Sequence, residues 1–328
     1  MINTIKLKNI NAEVRKYKKY KAPQPNNKSL PPLWFSMISA SPKGAGKTYN
    51  TIQLLTAYEE SGFTYDGEKA DMRVIWFSGA TAFSKQNAII RTLKTLHEDD
   101  IHEVSDKNSE IFQEVYDNIL TEKQEIERYN EYRDIYKKFI KGDVNKLTDV
   151  ELLELEDRDF INPDNDPDAP EWKVPRITFF VLDDLIANPV VFGYRKNNWI
   201  NKLVIKHRHD SDILVPINLI MISQNFKSVP TIIRKNSDMF VLLKNSNRKK
   251  IIEQVSDEVG SVLSIEDFTK YYDYITNIPY GSLIINVHKD EDDARRVRMG
   301  WDTILTKDDI KKCKCVSEGK PYGSCGGT

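Results

Sequence analysis

The sequence predicts an α/β fold with a mostly parallel central sheet and helices on both faces. Three observations predict it. Apolar runs at 33–40, 72–79, 177–182, 218–224 and 239–243 are rich in β-branched and aromatic residues, and the purest, 177–182, is almost wholly apolar, as in strands buried on both faces. The segments between several of these runs carry helical spacing. A glycine-rich octapeptide also stands where the first run meets a helix, the usual order at the ligand-bearing edge of such a sheet.

Residues 1–32 read as a basic N-terminal arm and linker. Arg15-Lys16-Tyr17-Lys18-Lys19-Tyr20-Lys21 interleaves cations with tyrosines, Ala22-Pro23-Gln24-Pro25-Asn26-Asn27 behaves as a linker, and Pro31-Pro32 closes it. Such an arm can neutralise phosphates and stack on bases, or pack on a neighbouring subunit.

The strand Leu33–Ala40 runs into Ser41-Pro42-Lys43-Gly44-Ala45-Gly46-Lys47-Thr48 and then the helix beginning Tyr49-Asn50-Thr51-Ile52. Strand, glycine turn and helix form the context of a phosphate-binding loop, the pattern G-x-x-x-x-G-K-[ST] with Ser41 in the first glycine's place. Glycines let backbone N–H groups face a polyphosphate, and the helix adds its positive dipole end. Lys47 is expected to reach the β- and γ-phosphates of ATP, Thr48 to hold Mg2+, and Lys43 to touch phosphate from within the loop. Serine at 41 is tolerated if its backbone keeps negative φ.

Met72–Gly79 is the next strand, followed by a helix over Lys85–Leu96. Residues 98–172 change composition: acids outnumber bases, and the stretch reads as a helical insertion. Ile111, Phe112, Val115, Ile119 and Leu120 have helical spacing, Glu122–Ile140 reads as a second, polar helix, and Thr148…Glu151 opens a third with a capping box. Its acidity argues against a surface facing DNA. Asn162–Pro170 is a loop. After the strands at 177, 218 and 239 come a helix at Lys249–Val259 capped by Gly260, the turn Pro279-Tyr280-Gly281 and a strand at Gly281–Val287. The core is expected to end at 300, and residues 301–328 form a tail holding all three cysteines. A zinc site there lacks a histidine partner, and a flexible tail is the expectation.

The apolar run Ile177–Leu182 ends in Asp183-Asp184. Carboxylates at the tip of a buried strand face the ligand crevice. Asp183 is assigned to Mg2+ and Asp184 to polarising water as general base, the adjacent-acid arrangement of additional-strand ATPases. Gln224 ends the following strand and is expected to sense the γ-phosphate. Hydrolysis builds charge that a guanidinium stabilises; Arg208 is the first candidate and Arg234 the second. The five histidines make no metal cluster. His207 and His209 suit a strand or turn better than a chelate.

Net charge is −1 over 328 residues, so DNA contact has to come from local patches such as Lys202, Lys206, Lys227 and Arg234. Three cysteines make no disulfide framework, no secretory leader is visible and no apolar run reaches membrane-span length; a soluble intracellular protein is expected.

The series 41–48, Val74-Ile75-Trp76-Phe77-Ser78, Phe180-Val181-Leu182-Asp183-Asp184-Leu185, Arg208-His209, Ile222-Ser223-Gln224-Asn225-Phe226, Val229-Pro230, Ile233-Arg234 and Asn236 resembles the genome-packaging ATPases of the FtsK–HerA superfamily. It is most similar to the poxvirus-type group of large double-stranded DNA viruses and virophages. The match spans roughly residues 33–300. The resemblance implies a homo-oligomeric ring, pentamer or hexamer, that hydrolyses ATP to drive double-stranded DNA into a capsid at its portal vertex, in a host cytoplasm or viral factory or with the virion. It implies Lys47 and Thr48 as loop residues, Asp183 and Asp184 as strand-end acids, Gln224 as sensor and Arg208 as the arginine acting in trans. Two departures stand out: Ser41 for glycine, and Asp184 where many relatives carry glutamate. A cellular or plasmid DNA pump, or a nucleotide-dependent assembly scaffold, are the alternatives.

Overall fold

The computed structural model describes residues 23–65, 67–79, 85–105, 110–185, 199–209, 211, 213–260, 262–287 and 296–305. The basic cluster at 15–21 and the three cysteines lie outside these residues. Twelve strands occur among the described residues: β1 Gln24–Pro25, β2 Ser36–Ala40, β3 Phe63–Tyr65, β4 Glu68–Ala70, β5 Met72–Ser78, β6 Ile101–Glu103, β7 Ile177–Asp183, β8 Asn218–Ser223, β9 Met239–Leu243, β10 Ser282–Asn286, β11 Val297–Met299 and β12 Thr303–Ile304. The helices are α1 Lys47–Ser61, α2 Ile111–Ile140, α3 Asp149–Asp157, α4 Trp199–Lys206, α5 Thr231–Lys235, α6 Arg248–Val259 and α7 Ile265–Thr276, with short 3-10 turns between.

Nine strands form one sheet in the order β12-β11-β10-β9-β2-β8-β7-β5-β6. The six from β9 to β6 are mutually parallel, and β10, β11 and β12 close one edge antiparallel. Alternate residues of each central strand feed opposite cores. Phe179 and Val181 join Met37, Leu54, Leu55 and Trp76 on the α1 face, whereas Phe180 and Leu182 join Ile38, Phe77, Val255 and Phe268 on the face of α4 to α7. Burial on both sides is why these runs are continuous rather than alternating. The parallel strands all end at one edge, so Ser41, Asp184, Gln224 and the residues after Leu243 converge there.

Several local expectations are corrected. Gln24 and Pro25 are no free linker: β1 pairs antiparallel with β3, in a small sheet completed by β4. Residues 85–92 form a 3-10 helix rather than an α-helix; Ile90 and Leu93 are both buried, and a three-residue turn puts i and i+3 on one line. Residues 111–140 make one unbroken helix instead of two, since no glycine or proline interrupts the stretch. Gly260 ends α6 in a right-handed conformation, so it is no left-handed cap; its reason is space, because a Cβ there would lie 2.8 Å from the Ser256 carbonyl. The sheet also continues past residue 300 through β12.

The first half of α2 packs on the main core through Phe112, Tyr116 and Ile119. Glu122 then accepts from Arg73 of β5 (2.9 Å) and from Arg176 ahead of β7 (3.0 Å), pinning the helix across the sheet. Beyond this clamp, Tyr132 and Ile135 share a separate small core with Leu155 of α3. The capping box at the start of α3 forms as expected: Glu151 N–H donates to Thr148 Oγ1 (3.3 Å), and Thr148 N–H donates to Glu151 Oε2 (2.8 Å). No helix of the described residues is long and apolar enough to cross a membrane.

Candidate active site

The loop after β2 depends on its two glycines. Gly44 has φ 79° and Gly46 φ 100°, backbone that favours glycine. Gly46 occupies the N-cap of α1 and turns the chain so that the first helical N–H groups face outward over the sheet edge. Ser41 is absent from the positive-φ residues, so serine stands there without backbone strain, as expected. Its own N–H donates to Ser223 O (3.2 Å), stitching the loop to β8.

Lys47 is buried, with its ammonium donating to the carbonyls of Ser41 (2.6 Å) and Pro42 (3.0 Å). Burial lowers its pKa, and the charges of Asp184 and Asp183 oppose that shift. Loop lysine and strand-end acids therefore share one electrostatic cluster, although β8 lies between their strands. Lys43 and Gly44 are exposed on the loop, while Pro42, Ala45 and Thr48 are half-buried.

Asp183 is the last residue of β7. Burial, reinforced by Asp184, pushes its carboxyl up to about 6, with Lys47 pulling the other way. The Trp76 indole on β5 lies close enough to favour the ionised form without meeting hydrogen-bond geometry. A half-buried carboxylate with this tendency to keep a proton is well matched to a divalent cation, which would restore its ionised form, and the Thr48 hydroxyl is a second oxygen donor of the hard type Mg2+ takes. The raised pKa has a consequence for stability. An acid whose folded pKa exceeds its unfolded value of about 3.9 contributes stability below that value and loses it as pH rises through about 6. Without Mg2+, Asp183→Asn should therefore stabilise the protein at pH 7 by on the order of 3 kcal/mol and leave it nearly unchanged at pH 3. Thermal melting of both proteins across that range checks this, and parallel pH curves would contradict it.

Asp184 is exposed and sits at φ 56°, a left-handed conformation that aspartate adopts more readily than bulky residues. Its N–H donates to Ile222 O (3.1 Å) and its carboxylate accepts from Gln224 Nε2. Gly79 lets the acid loop pass close by, since a Cβ there would lie 3.2 Å from Leu185 Cδ2. The sensor candidate and the base candidate are thus in direct contact at the ends of adjacent strands. Beside them a cavity of about 200 Å³ is lined by Ser41, Gln224, Asn225, Asn245, Lys250 and Gln254.

The two arginine candidates lie apart from this cluster. Arg208 pairs with Asp238, which precedes β9 and accepts from Ser36 N–H at the start of β2 (2.6 Å). That is the opposite edge of the sheet from the loop. Neighbouring His207 is buried, and its ring, pushed down to about 4 chiefly by burial, stays neutral beside Val204 O (2.6 Å). It sits in the turn after α4, not in a chelate. Arg234 is committed inside the fold: it donates to Glu258 (2.8 Å), Val229 O (2.9 Å) and Thr231 Oγ1 (3.1 Å). Of the four cations named for DNA contact, Lys202, Lys206 and Lys227 are exposed and Arg234 is not. Trp76 and Tyr280 were not among the expected site residues; Trp76 reaches the site only through the pairing of β5 with β7, which sequence does not reveal.

A phosphate-type loop after β2, with β8 inserted between it and acid-bearing β7, defines the additional-strand class of P-loop fold. No protein family matches the chain, and neither does any curated protein. Solved structures do. The genome packaging NTPase B204 from Sulfolobus turreted icosahedral virus 2, in complex with AMP, is 12% identical over 83% of this chain and 98% of that one, with a TM-score of 0.43. EssC (ATPases 2 and 3) from Geobacillus thermodenitrificans is 15% identical over 88% of this chain and 42% of that one, at 0.41. The pCW3 conjugation coupling protein TcpA is 11% identical over 87% of this chain and 64% of that one, at 0.38.

Proposed function

We propose that the chain is an ATP-driven double-stranded DNA translocase that packages a viral genome into a preformed capsid, working as a ring of identical subunits. The observation that carries the enzymatic half is the grouping of Lys47, Asp183, Asp184 and Gln224 at one sheet edge. The DNA half comes from the motif series that includes Arg208-His209 and Val229-Pro230.

In this reading the loop N–H groups and Lys47 hold the β- and γ-phosphates, which requires the ammonium to leave the Ser41 and Pro42 carbonyls. Thr48 and Asp183 would hold Mg2+, which would neutralise charge on the phosphates when bound. Asp184 takes a proton from water as its oxygen attacks the γ-phosphorus. The bond from phosphorus to the bridging oxygen breaks, and ADP departs with the electron pair. Gln224, already bonded to Asp184, orients both water and base. Arg208 lies at the sheet edge opposite its own loop, out of reach of its own nucleotide, and in this reading it leaves Asp238 to act on a neighbour's nucleotide, so the ring completes each site.

The test is steady-state ATPase rate with and without double-stranded DNA, alongside native mass. Stimulation of tenfold or more by DNA (an order-of-magnitude expectation for an added trans arginine, whose full effect is about 10³ or more) in an oligomer supports the motor. A monomer whose turnover ignores DNA points instead to the assembly scaffold.

A further inference from the structure

Tyr280 is the most exposed large aromatic among the described residues, at 79%. It nevertheless lies against the phosphate loop: a Cβ built on Gly46 would meet Tyr280 Cδ1 at 3.6 Å and Leu243 Cδ2 at 3.6 Å. Its backbone is also held at φ 59°, a region where a bulky side chain is an outlier and strain accumulates at functional sites.

The surroundings fix it there. Gly281 N–H donates to Ile278 O (2.9 Å), and a Cβ at Gly281 would fall 2.2 Å from Ile275 O, so the turn admits only glycine next to the tyrosine. Ser282, two residues on, accepts from Asn50 of α1 (2.8 Å), tying the turn to the helix that begins at the loop. Ser282 pairs with Leu243, which places the start of β10 at the same sheet edge as the loop.

Topology then sets a direction. The acids lie two strands from β2 on one side, across β8; Tyr280 enters the strand two places away on the other side, across β9. A triphosphate whose γ end is directed at Asp183 and Asp184 has its α end, and so its nucleoside, directed away from β7. That is the side on which Tyr280 stands. We infer that Tyr280 is the platform on which the nucleobase stacks, a base subsite beside the loop that gives this chain affinity for a nucleoside triphosphate over bare polyphosphate. The inference rests on the nucleotide reading above.

Calorimetric titration with Mg2+ complexes of ATP and of inorganic tripolyphosphate tests it. Tyr280→Ala should weaken ATP on the order of tenfold, as loss of one base–aromatic stack does, and leave tripolyphosphate binding at the wild-type value, which also shows that the variant folds. Tyr280→Phe should keep wild-type ATP affinity. Tyr280→Gly relaxes the left-handed backbone and should lose ATP as the alanine variant does; recovery by glycine would mean that the position serves the turn and not the base. The platform is overturned if alanine weakens both ligands equally or neither, or if wild type binds both ligands equally well. If wild type binds neither, the phosphate loop itself has been misread and the platform falls with it.

Discussion

Asp184→Asn is expected to hydrolyse ATP at least about a hundredfold more slowly while still binding it, because a positioned general base contributes roughly 10² to 10⁴ in rate. The amide keeps the shape, and asparagine tolerates the left-handed backbone at 56° as well as aspartate does. What it loses is proton affinity at the atom next to Gln224. Its partner bond also inverts, since an amide N–H facing Gln224 Nε2 offers donor to donor unless one group flips. Rapid-quench single turnovers separate this chemistry from binding, and nucleotide affinity should stay within a few-fold of wild type. A variant that turns over normally would remove Asp184 from the mechanism.

Lys47→Ala is expected to abolish measurable turnover and to weaken ATP by one to two orders of magnitude, the scale of losing charge-assisted hydrogen bonds worth about 1.5–3 kcal/mol each. Stability should respond far less, because two effects oppose one another. The ammonium is buried and its charged form is disfavoured there, so its removal relieves a desolvation cost. The same removal leaves the Ser41 and Pro42 carbonyls without their donor. Calorimetric ATP titration and thermal melting on one sample check both halves. A variant that melts far below wild type would show Lys47 to be a strut of the loop as much as a phosphate ligand.

The legible parts of this molecule were those whose cause is local. Gly44 and Gly46 stand out in the sequence because only glycine suits their backbone, and Ile177–Leu182 stands out because both faces of β7 are covered. The capping box from Thr148 to Glu151 is likewise a matter of four consecutive residues. The illegible parts depend on partners far along the chain. Two-residue strands such as β1 and β12 exist because a neighbour already offers an edge. The placement of α2 across the sheet rests on Arg73 and Arg176, both brought by other elements to Glu122, and helical periodicity fades beyond it, where α3 and the chain at 161–163 lie against the helix. Arg208 and Arg234 look alike in sequence; Asp238 and Glu258 separate them, one at the edge away from the loop and one inside the fold. Tyr280 reads as an ordinary turn residue until the register of β10 on β9 carries it to the loop.

Helix α2 has thirty residues, and at about 1.5 Å each it is a rod about 45 Å long. Its first turns pack on the main core, Glu122 is gripped by the two arginines, and beyond that clamp α3 and the chain at 161–163 lie against it. Over the outer arm of about 27 Å from Glu122 to Ile140, a tilt of about 10° at the grip sweeps the far end through roughly 5 Å. Small shifts of β5 and β7, which carry the gripping arginines at the ends opposite the acids, would therefore be felt at the far end of α2.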